Sequence, residues 1–322
     1  MNIGIIGTNW ISKKFAQAIQ LTKSSTITAV LSRTEKAGNE FLAATKTPGK
    51  TYADLAEFLH TDIEVVYIAS PNSLHFEQTM AALRQGKHVI VEKPAFINPK
   101  QYAIVAEFLE THPDVMVFEA AKHTYLNTFK NIENNLGLLG DIYGGTLTYM
   151  EYATDDPATS TLWSTKYGRG VLYDLGVYAV YDAISWFGAP TSVDYRAHCL
   201  SGGADYFGLG TLHFADFDLH IQIGNQNGSD VGSEIYGSKG TLCMNHITHF
   251  DQVELMLNDG AWAQHLNLPE AENTMLNEVT AILQAIQHKD TALMQAKFAL
   301  SRLVGETLFA MRQAAGIEFV DD

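Results

Sequence analysis

The stretch His88-Val89-Ile90-Val91-Glu92-Lys93-Pro94 puts a lysine where a buried strand is predicted to end. Three consecutive apolar, β-favouring residues are typical of a parallel strand, and Pro94 ends it because proline cannot donate to the ladder. Ligands of open α/β sheets bind at the carboxyl ends of the strands. Lys93 is therefore a candidate ligand-binding residue, and Glu92 and Lys93 are both expected to contribute to a cofactor site at this rim. The alternative is a solvated lysine in a turn.

A second candidate pair, Asp174 and Tyr178, stands four residues apart on a helix predicted over 171–187. This spacing puts both side chains on one helix face. Gly176 lies between them and would let a ligand or a neighbouring backbone come close. Tyrosine can pass a proton, and aspartate can orient a lysine or a substrate hydroxyl. The alternative is an aspartate that serves the helix dipole and a tyrosine in the core.

The turn after the first predicted strand has the position of a dinucleotide fingerprint but departs from G-x-G-x-x-G/A at two positions, although Ser12 is still small enough for close helix–strand packing. Asparagine replaces the middle glycine, and asparagine is the next residue most tolerant of a left-handed conformation. A plain strand-to-helix turn is the alternative. As a cofactor turn it would contribute Gly7, Thr8, Asn9, Trp10 and Ile11.

The second and fourth predicted strands also end in polar residues. Ser32, Arg33 and Thr34 follow the second strand, where an NAD site usually offers an acid to the ribose. A guanidinium and a hydroxyl suit a 2′-phosphate, so NADP is favoured over NAD. The fourth strand is followed by a loop and the start of a helix, which are expected to bind phosphate or ribose of the cofactor through Ser70, Pro71, Asn72 and His75. The alternative is that Asn72 or Ser73 only caps the helix.

Two regions differ in their pattern. Strand and helix alternate over residues 1–118, which predicts a doubly wound parallel sheet, that is, an α/β Rossmann domain. Short alternating strands joined by turn residues dominate 119–322, with one helix before most of them and two at the end. That pattern predicts an α+β domain with a large, mainly antiparallel sheet.

Composition excludes several function classes for the 322-residue chain. A net charge of −15 argues against nucleic acid or an anionic membrane as the main partner, and no apolar run has the length of a membrane span. Two isolated cysteines indicate neither a disulfide scaffold nor a metal framework. The pair His246 and His249 lacks a third ligand, so no metal is expected. With no leader visible, a cytoplasmic protein is expected.

The ordered motifs resemble the Gfo/Idh/MocA oxidoreductase family across nearly the whole chain. They are GTNWIS at 7–12, SRT at 32–34, SPNSLH at 70–75, EKP at 92–94, GRGVLYDLGVY at 168–178 and EIYGSKGTL at 234–242. The resemblance implies that Lys93, Asp174 and Tyr178 are catalytic. The tyrosine is similar to that of the glucose-fructose oxidoreductase and dimeric dihydrodiol dehydrogenase branches. The stretch EAAKHT at 119–124 departs from the family pattern, which usually continues with an aromatic residue and arginine.

The resemblance implies hydride transfer between NADP(H) and a secondary alcohol or carbonyl of a small sugar, polyol or dihydrodiol-like substrate. Lys93 and Tyr178 are alternative proton carriers. Two other readings stay open, a non-catalytic NAD(P)-binding sensor and a reductase similar to biliverdin reductase. A homo-oligomer, a dimer or a dimer of dimers, is expected through the second sheet, because several strands carry more apolar residues than one sheet face should need. These residues are Leu209, Leu212, Phe214, Leu219 and Ile221.

Overall fold

The computed structural model describes residues 1–154, 163–258 and 263–320. The chain forms two compact units, Met1–Lys122 with Ala271–Ala299, and His123–Glu270 with Leu300–Asp322. Among the described residues, no helix combines the length and the apolar character needed to cross a membrane.

The first unit contains a six-stranded parallel sheet in the order β3-β2-β1-β4-β5-β6. Its strands are β1 (Asn2–Ile6), β2 (Thr26–Leu31), β3 (Lys50–Tyr52), β4 (Val65–Ile68), β5 (His88–Glu92) and β6 (Val117–Ala120). Its helices are α1 (Trp10–Thr22), α2 (Glu35–Thr45), α3 (Leu55–Leu59), α4 (Asn72–Arg84), α5 (Pro99–Thr111) and α8 (Leu276–His288).

The central strands of this sheet are apolar on both faces because helices cover both. All four residues of β4 are buried, and so are the three middle residues of β5. Parallel strands joined by helices all point the same way, so the loops after β1, β2, β4 and β5 lie at one rim. The first unit therefore confirms the predicted Rossmann architecture.

The second unit contains an eight-stranded sheet in the order β14-β13-β12-β11-β7-β10-β9-β8, antiparallel except for the pair β7 and β10. Its strands are β7 (Ile142–Met150), β8 (Ser192–Cys199), β9 (Asp205–His213), β10 (Asp218–Gly224), β11 (Ser233–Gly237), β12 (Gly240–Met244), β13 (Val253–Leu257) and β14 (Ala263–His265). Helices α6 (Asn127–Asn135) and α7 (Val177–Phe187) lie in this unit, and α9 (Thr291–Ala314) closes the chain. The predicted large antiparallel sheet is confirmed.

Helix α6 is missing from the sequence-based prediction. Its sequence, NTFKNIENN, is rich in asparagine, which is a weak helix former. Distant groups satisfy its first turn: the Glu270 side chain accepts from the Thr128 amide at 2.8 Å, and Asn127 donates to the Pro269 carbonyl. Tertiary hydrogen bonds thus stabilise a helix that local propensity does not predict.

The compact units differ from the predicted boundary between 1–118 and 119–322. Residues Ala271–Ala299 belong with the first unit, although they follow the second sheet in the chain. Packing of α8 against α1 explains this placement, and the Asn273 side chain donates to the Lys14 carbonyl at 2.9 Å.

The apolar residues taken as a sign of an exposed sheet face are mostly internal. Leu212, Leu219 and Ile221 are fully buried, so the prediction that these residues lie on an exposed sheet face was wrong. Side chains alternate along each strand, and these three point to the covered face. Leu209 points the other way and is 48% exposed.

Candidate active site

The loop after β1 is held in a conformation that suits glycine. Gly7 has φ +99°, and a Cβ there would lie 2.7 Å from the carbonyl oxygen of Ala69. Asn9 then caps α1, because its Oδ1 accepts from the Ser12 amide at 3.0 Å while its Nδ2 donates to the Ala69 carbonyl at 2.9 Å. Asparagine in place of the fingerprint's middle glycine therefore ties the ends of β1 and β4 together.

The start of α1 carries positive charge and an exposed aromatic ring. Trp10 is 64% exposed, and the ammonium groups of Lys14 and Lys122 lie 5.4 Å and 5.9 Å from the centroid of its ring. First-turn amides of a helix have no partner within the helix, and the helix dipole favours an anion there. The tight Gly7 turn and these cations fit the pyrophosphate of a dinucleotide.

The loop after β2 separates the three residues predicted to meet a 2′-phosphate. The Ser32 hydroxyl is buried and donates to the Thr34 carbonyl at 2.6 Å, and the Thr34 hydroxyl caps α2 by accepting from the Ala37 amide. Arg33 is exposed between them. Ser32 and Thr34 thus shape the loop, and Arg33 offers the charged side chain.

The loop after β4 is tied to the loop after β5 by a buried histidine. Both ring nitrogens of His75 face backbone carbonyls: Nδ1 lies 3.1 Å from the Pro94 oxygen and Nε2 lies 2.9 Å from the Ser70 oxygen. The ring is fully buried, so it links the loop after β4 to the loop after β5 inside the unit. Pro71 holds the cap position of α4 and makes no side-chain cap, so Asn72 and Ser73 lie inside the helix, where Asn72 is buried.

Lys93 and Glu92 lie at the rim as expected. Glu92 accepts from the Tyr67 hydroxyl at 2.5 Å and from the Lys93 amide at 3.3 Å. Burial raises the pKa of Glu92, while the Tyr67 hydrogen bond and the charges of Lys93 and Lys122 act in the opposite direction. The EKP glutamate therefore anchors the backbone of Lys93.

Sequence reasoning missed a buried acidic residue behind this rim. Glu278 of α8 is 1% exposed, and neither carboxylate oxygen has a hydrogen-bond partner among the described residues. Burial, and next the charge of Glu92, raise its pKa well above the ordinary value, and Lys122 opposes the shift. Burial also lowers the pKa of Lys122 against the pull of Glu92. Only tertiary structure brings α8 here, so no local pattern signals this cluster.

In the second unit the predicted helix over 171–187 begins irregularly. Residues Leu172–Gly176 form a π-helical turn, and α7 starts at Val177. Hydrogen bonds in a π-helix span five residues, so the regular α-helix predicted from residue 171 begins instead with a wider turn that includes Asp174. Such π-turns are frequent at functional sites. Gly176 admits the Ile223 side chain, whose Cδ1 would lie 2.8 Å from an added Cβ.

Asp205 of β9 fixes the start of this segment and was not among the predicted residues. Its buried carboxylate accepts from the Leu172 amide at 3.0 Å and from the Tyr195 hydroxyl at 2.6 Å. A Cβ on Gly170 would lie 1.9 Å from an Asp205 oxygen, so glycine is needed there. Burial raises the pKa of Asp205, and the Tyr195 hydrogen bond opposes the shift. A capping acid from a distant strand leaves no sequence signal beyond the glycine.

Tyr178 packs against a buried histidine, His123, which lies beside a buried acid, Asp182. The His123 ring meets the Tyr178 ring edge to face, with centroids 4.9 Å apart, and His123 Nε2 lies 3.3 Å from Asp182 Oδ1. His123 and Asp182 are both at most 1% exposed. Burial, and next the charge of Glu133, raise the pKa of Asp182 well above its usual range. His123 lies in the EAAKHT stretch, so the departure from the family pattern marks a residue in contact with Tyr178.

Known proteins show the same organisation. The family model described as "Oxidoreductase family, NAD-binding Rossmann fold" matches residues 1–119, and the family model of the GFO/IDH/MocA C-terminal domain matches residues 135–243. The chain is 30% identical to scyllo-inositol 2-dehydrogenase (NADP(+)) IolU of Bacillus subtilis, over 100% of this chain and 99% of that protein.

Solved structures share the fold at low identity. KijD10, a 3-ketoreductase from Actinomadura kijaniata in complex with NADP and TDP-benzene, has a TM-score of 0.86 at 22% identity and covers 98% of this chain and 97% of its own. Levoglucosan dehydrogenase in complex with NADH has a TM-score of 0.84 at 18% identity, covering 99% and 98%. With the full-length similarity to IolU, these matches confirm the predicted family and its dehydrogenase class: the chain belongs to the Gfo/Idh/MocA family of oxidoreductases.

Proposed function

We propose that the protein is an NADP(H)-dependent oxidoreductase that moves a hydride between nicotinamide and a secondary alcohol or carbonyl of a sugar or polyol. The observation that supports this most is the rim of the first unit, where Lys93 follows β5 beside the loops after β1 and β4. IolU is named for the oxidation of a cyclic polyol with NADP+, and its match spans this whole chain.

Lys93, Tyr178 and Asp174 have the side chains that this reaction requires. The nicotinamide, when bound, accepts or supplies the hydride, and a protein group must take up or return the hydroxyl proton. A free tyrosine has a pKa of about 10, so a tyrosine that passes the proton near neutral pH needs a cation close to the substrate oxygen. Lys93 is the candidate for that charge or for the proton itself, and Asp174 for orienting the substrate.

The preference for NADP rests on Arg33. Its exposed guanidinium at the end of β2 suits a 2′-phosphate, and no carboxylate precedes it at Leu31 or Ser32 to repel one. The dinucleotide would lie across the Gly7 turn, with its pyrophosphate at the start of α1 near Trp10. NADH would bind the same residues without the arginine contact.

We also propose that the chain forms a homo-oligomer through the outer face of the eight-stranded sheet. Leu209, Tyr236 and Met256 lie on this face, on β9, β11 and β13, and are between 41% and 48% exposed. Exposed apolar side chains on a wide sheet are typical of a contact surface. Light scattering at micromolar protein tests this, and a monomer mass would contradict it.

The function itself is tested by a substrate screen that follows NADPH absorbance. Polyols, beginning with scyllo-inositol, aldoses and dihydrodiols are offered with NADP+. The corresponding ketones and dicarbonyls are offered with NADPH. We expect turnover of at least one polyol or sugar. Turnover confined to dihydrodiols or dicarbonyls would change the substrate class, and tight NADPH binding without any turnover would favour a sensor.

A further inference from the structure

The motif His246-Ile247-Thr248-His249 follows β12 and is not explained by the proposed chemistry. Strand β11 is antiparallel to both β7 and β12, so β7 and β12 run in the same direction and end at the same edge of the sheet. His246 comes two residues after the end of β12. It therefore lies near the end of β7, where Tyr149 is located.

A row of three rings connects His246 to the candidate proton carrier. The His246 ring packs against Tyr149 with centroids 4.8 Å apart, and Tyr149 packs against Tyr178 at 5.7 Å. Both contacts are edge to face. All three residues belong to the second unit, so His246 is one aromatic ring away from Tyr178.

The loop fixes which nitrogen of His246 carries the proton. The Thr248 amide donates to Nδ1 at 3.2 Å, which requires a lone pair on Nδ1, and the Thr248 hydroxyl lies 2.9 Å from the same atom. A neutral imidazole with an acceptor at Nδ1 has its hydrogen on Nε2. Burial lowers the pKa of His246, although the charges of Asp251 and Glu151 oppose the shift, so the neutral form dominates at neutral pH.

Within the part of the chain that the structure describes, the Nε2–H group of His246 is a donor with no acceptor. Among the described residues, His246 Nε2 makes no hydrogen bond, and the side chain is half-buried. Metal binding does not explain the geometry, since the Thr248 amide already uses Nδ1 and the described residues contain no group of three possible ligands. Small-molecule sites are typically lined by aromatic rings together with a few half-buried polar groups that bind and orient the ligand.

We propose that His246 is a specificity-determining residue whose Nε2–H donates to a hydroxyl oxygen of the polyol or sugar substrate. The inference rests on the proposed function and adds a contact in the second unit. The Tyr149 ring would face carbon atoms of the same substrate, since sugars combine apolar C–H faces with hydroxyl edges. A substrate that lacks the hydroxyl would leave the donor without an acceptor, which is a strong source of discrimination.

The test measures polyol affinity in the presence of saturating NADPH, so that no turnover occurs. Calorimetric titrations use scyllo-inositol, myo-inositol and D-glucose with the wild-type protein and with His246→Leu, His246→Gln and His265→Leu. Losing one neutral hydrogen bond should weaken polyol binding about five- to tenfold in His246→Leu. Glutamine keeps an N–H donor and should restore most of the affinity, and the exposed His265 of β14 is the control that should change nothing.

The outcomes test the His246 subsite and the proposed function separately. If polyols bind and His246→Leu binds them as the wild type does, the subsite is wrong while the proposed function stands. If the wild type binds none of these compounds and turns over no polyol or sugar in the wider screen, the proposed function fails and the subsite with it. Should the leucine variant not fold, the nitrogen NMR signals of His246 in the wild type give the answer, because the polyol should shift Nε2 more than Nδ1. Unchanged signals with bound polyol would overturn the proposal.

Discussion

The rim of the first unit and the edge of the second sheet position their functional groups in different ways. At the rim, each predicted residue follows a strand, and backbone geometry places it: Gly7 forms the turn and Asn9 caps α1. At the sheet edge, buried side chains from distant segments position the candidate groups. Asp205 accepts from the amide at the helix start, and the His123 ring packs against Tyr178. The candidate cofactor residues are thus placed by local geometry, and the candidate substrate residues of the second unit are placed by tertiary packing.

The largest effect is expected for Lys93→Met. Removing the cation that polarises the substrate oxygen or stabilises a tyrosinate should lower kcat by about 10²–10⁴ with the first substrate found. A fluorescence titration of NADPH, run beside the rate measurement, separates a loss of turnover from a loss of cofactor binding. Lys100→Met, at an exposed position of α5, is the control. Normal turnover in the Lys93 variant would place the chemistry elsewhere.

Asp205→Ala should act on stability more than on cofactor binding. The change leaves the Tyr195 hydroxyl and the Leu172 amide without their buried acceptor, which should lower the free energy of unfolding by about 2–4 kcal/mol. Urea denaturation measures this, with the exposed Asp216→Ala as a control. A loss below ~0.5 kcal/mol would show that the sheet does not hold the helix start.

Arg33→Ala tests the rim of the first unit. A lost charge-assisted phosphate contact costs about 1.5–3 kcal/mol, so the Kd for NADPH should rise roughly tenfold or more, while that for NADH should barely change. Arg84→Ala, at the exposed end of α4, serves as the matched control. Equal losses for both cofactors would falsify the assignment of Arg33 to the 2′-phosphate.

The smallest change is expected for Glu278→Gln and appears as a dependence on pH. The pKa of Glu278 is raised on folding, so the folded state holds this proton more tightly than the unfolded state. Its contribution is therefore most favourable at low pH, and stability falls as pH rises from the ordinary glutamate pKa through the raised one. Glutamine cannot titrate, so the urea midpoint of the variant should fall less between pH 5 and pH 8.

A matched variant separates burial from charge alone. Glu272 is exposed close to the start of α8, so Glu272→Gln should leave the pH dependence of the wild type unchanged. Parallel curves for the wild type and Glu278→Gln would show that Glu278 is not desolvated in solution.

The sequence predicts the rim well and the sheet edge poorly, for a physical reason. The sequence predicts that Lys93 and Arg33 lie at the rim, because a run of buried apolar residues indicates where a strand ends. A motif predicts Asp174 and Tyr178 as site residues, but it does not predict the π-turn Leu172–Gly176, whose first amide donates to Asp205 on a distant strand. His123 and Glu278 acquire their surroundings only through contacts far along the chain.

The proposed division between cofactor binding and proton transfer is tested most directly by Tyr178→Phe with two readouts on one sample. If Tyr178 passes the proton, kcat should fall by about 10²–10⁴, while the Kd for NADPH should stay within about twofold of the wild type. Tyr143→Phe, on an exposed part of β7, should change neither quantity. Near wild-type turnover in Tyr178→Phe would contradict the account and, if Lys93→Met is inactive, would assign the proton to Lys93.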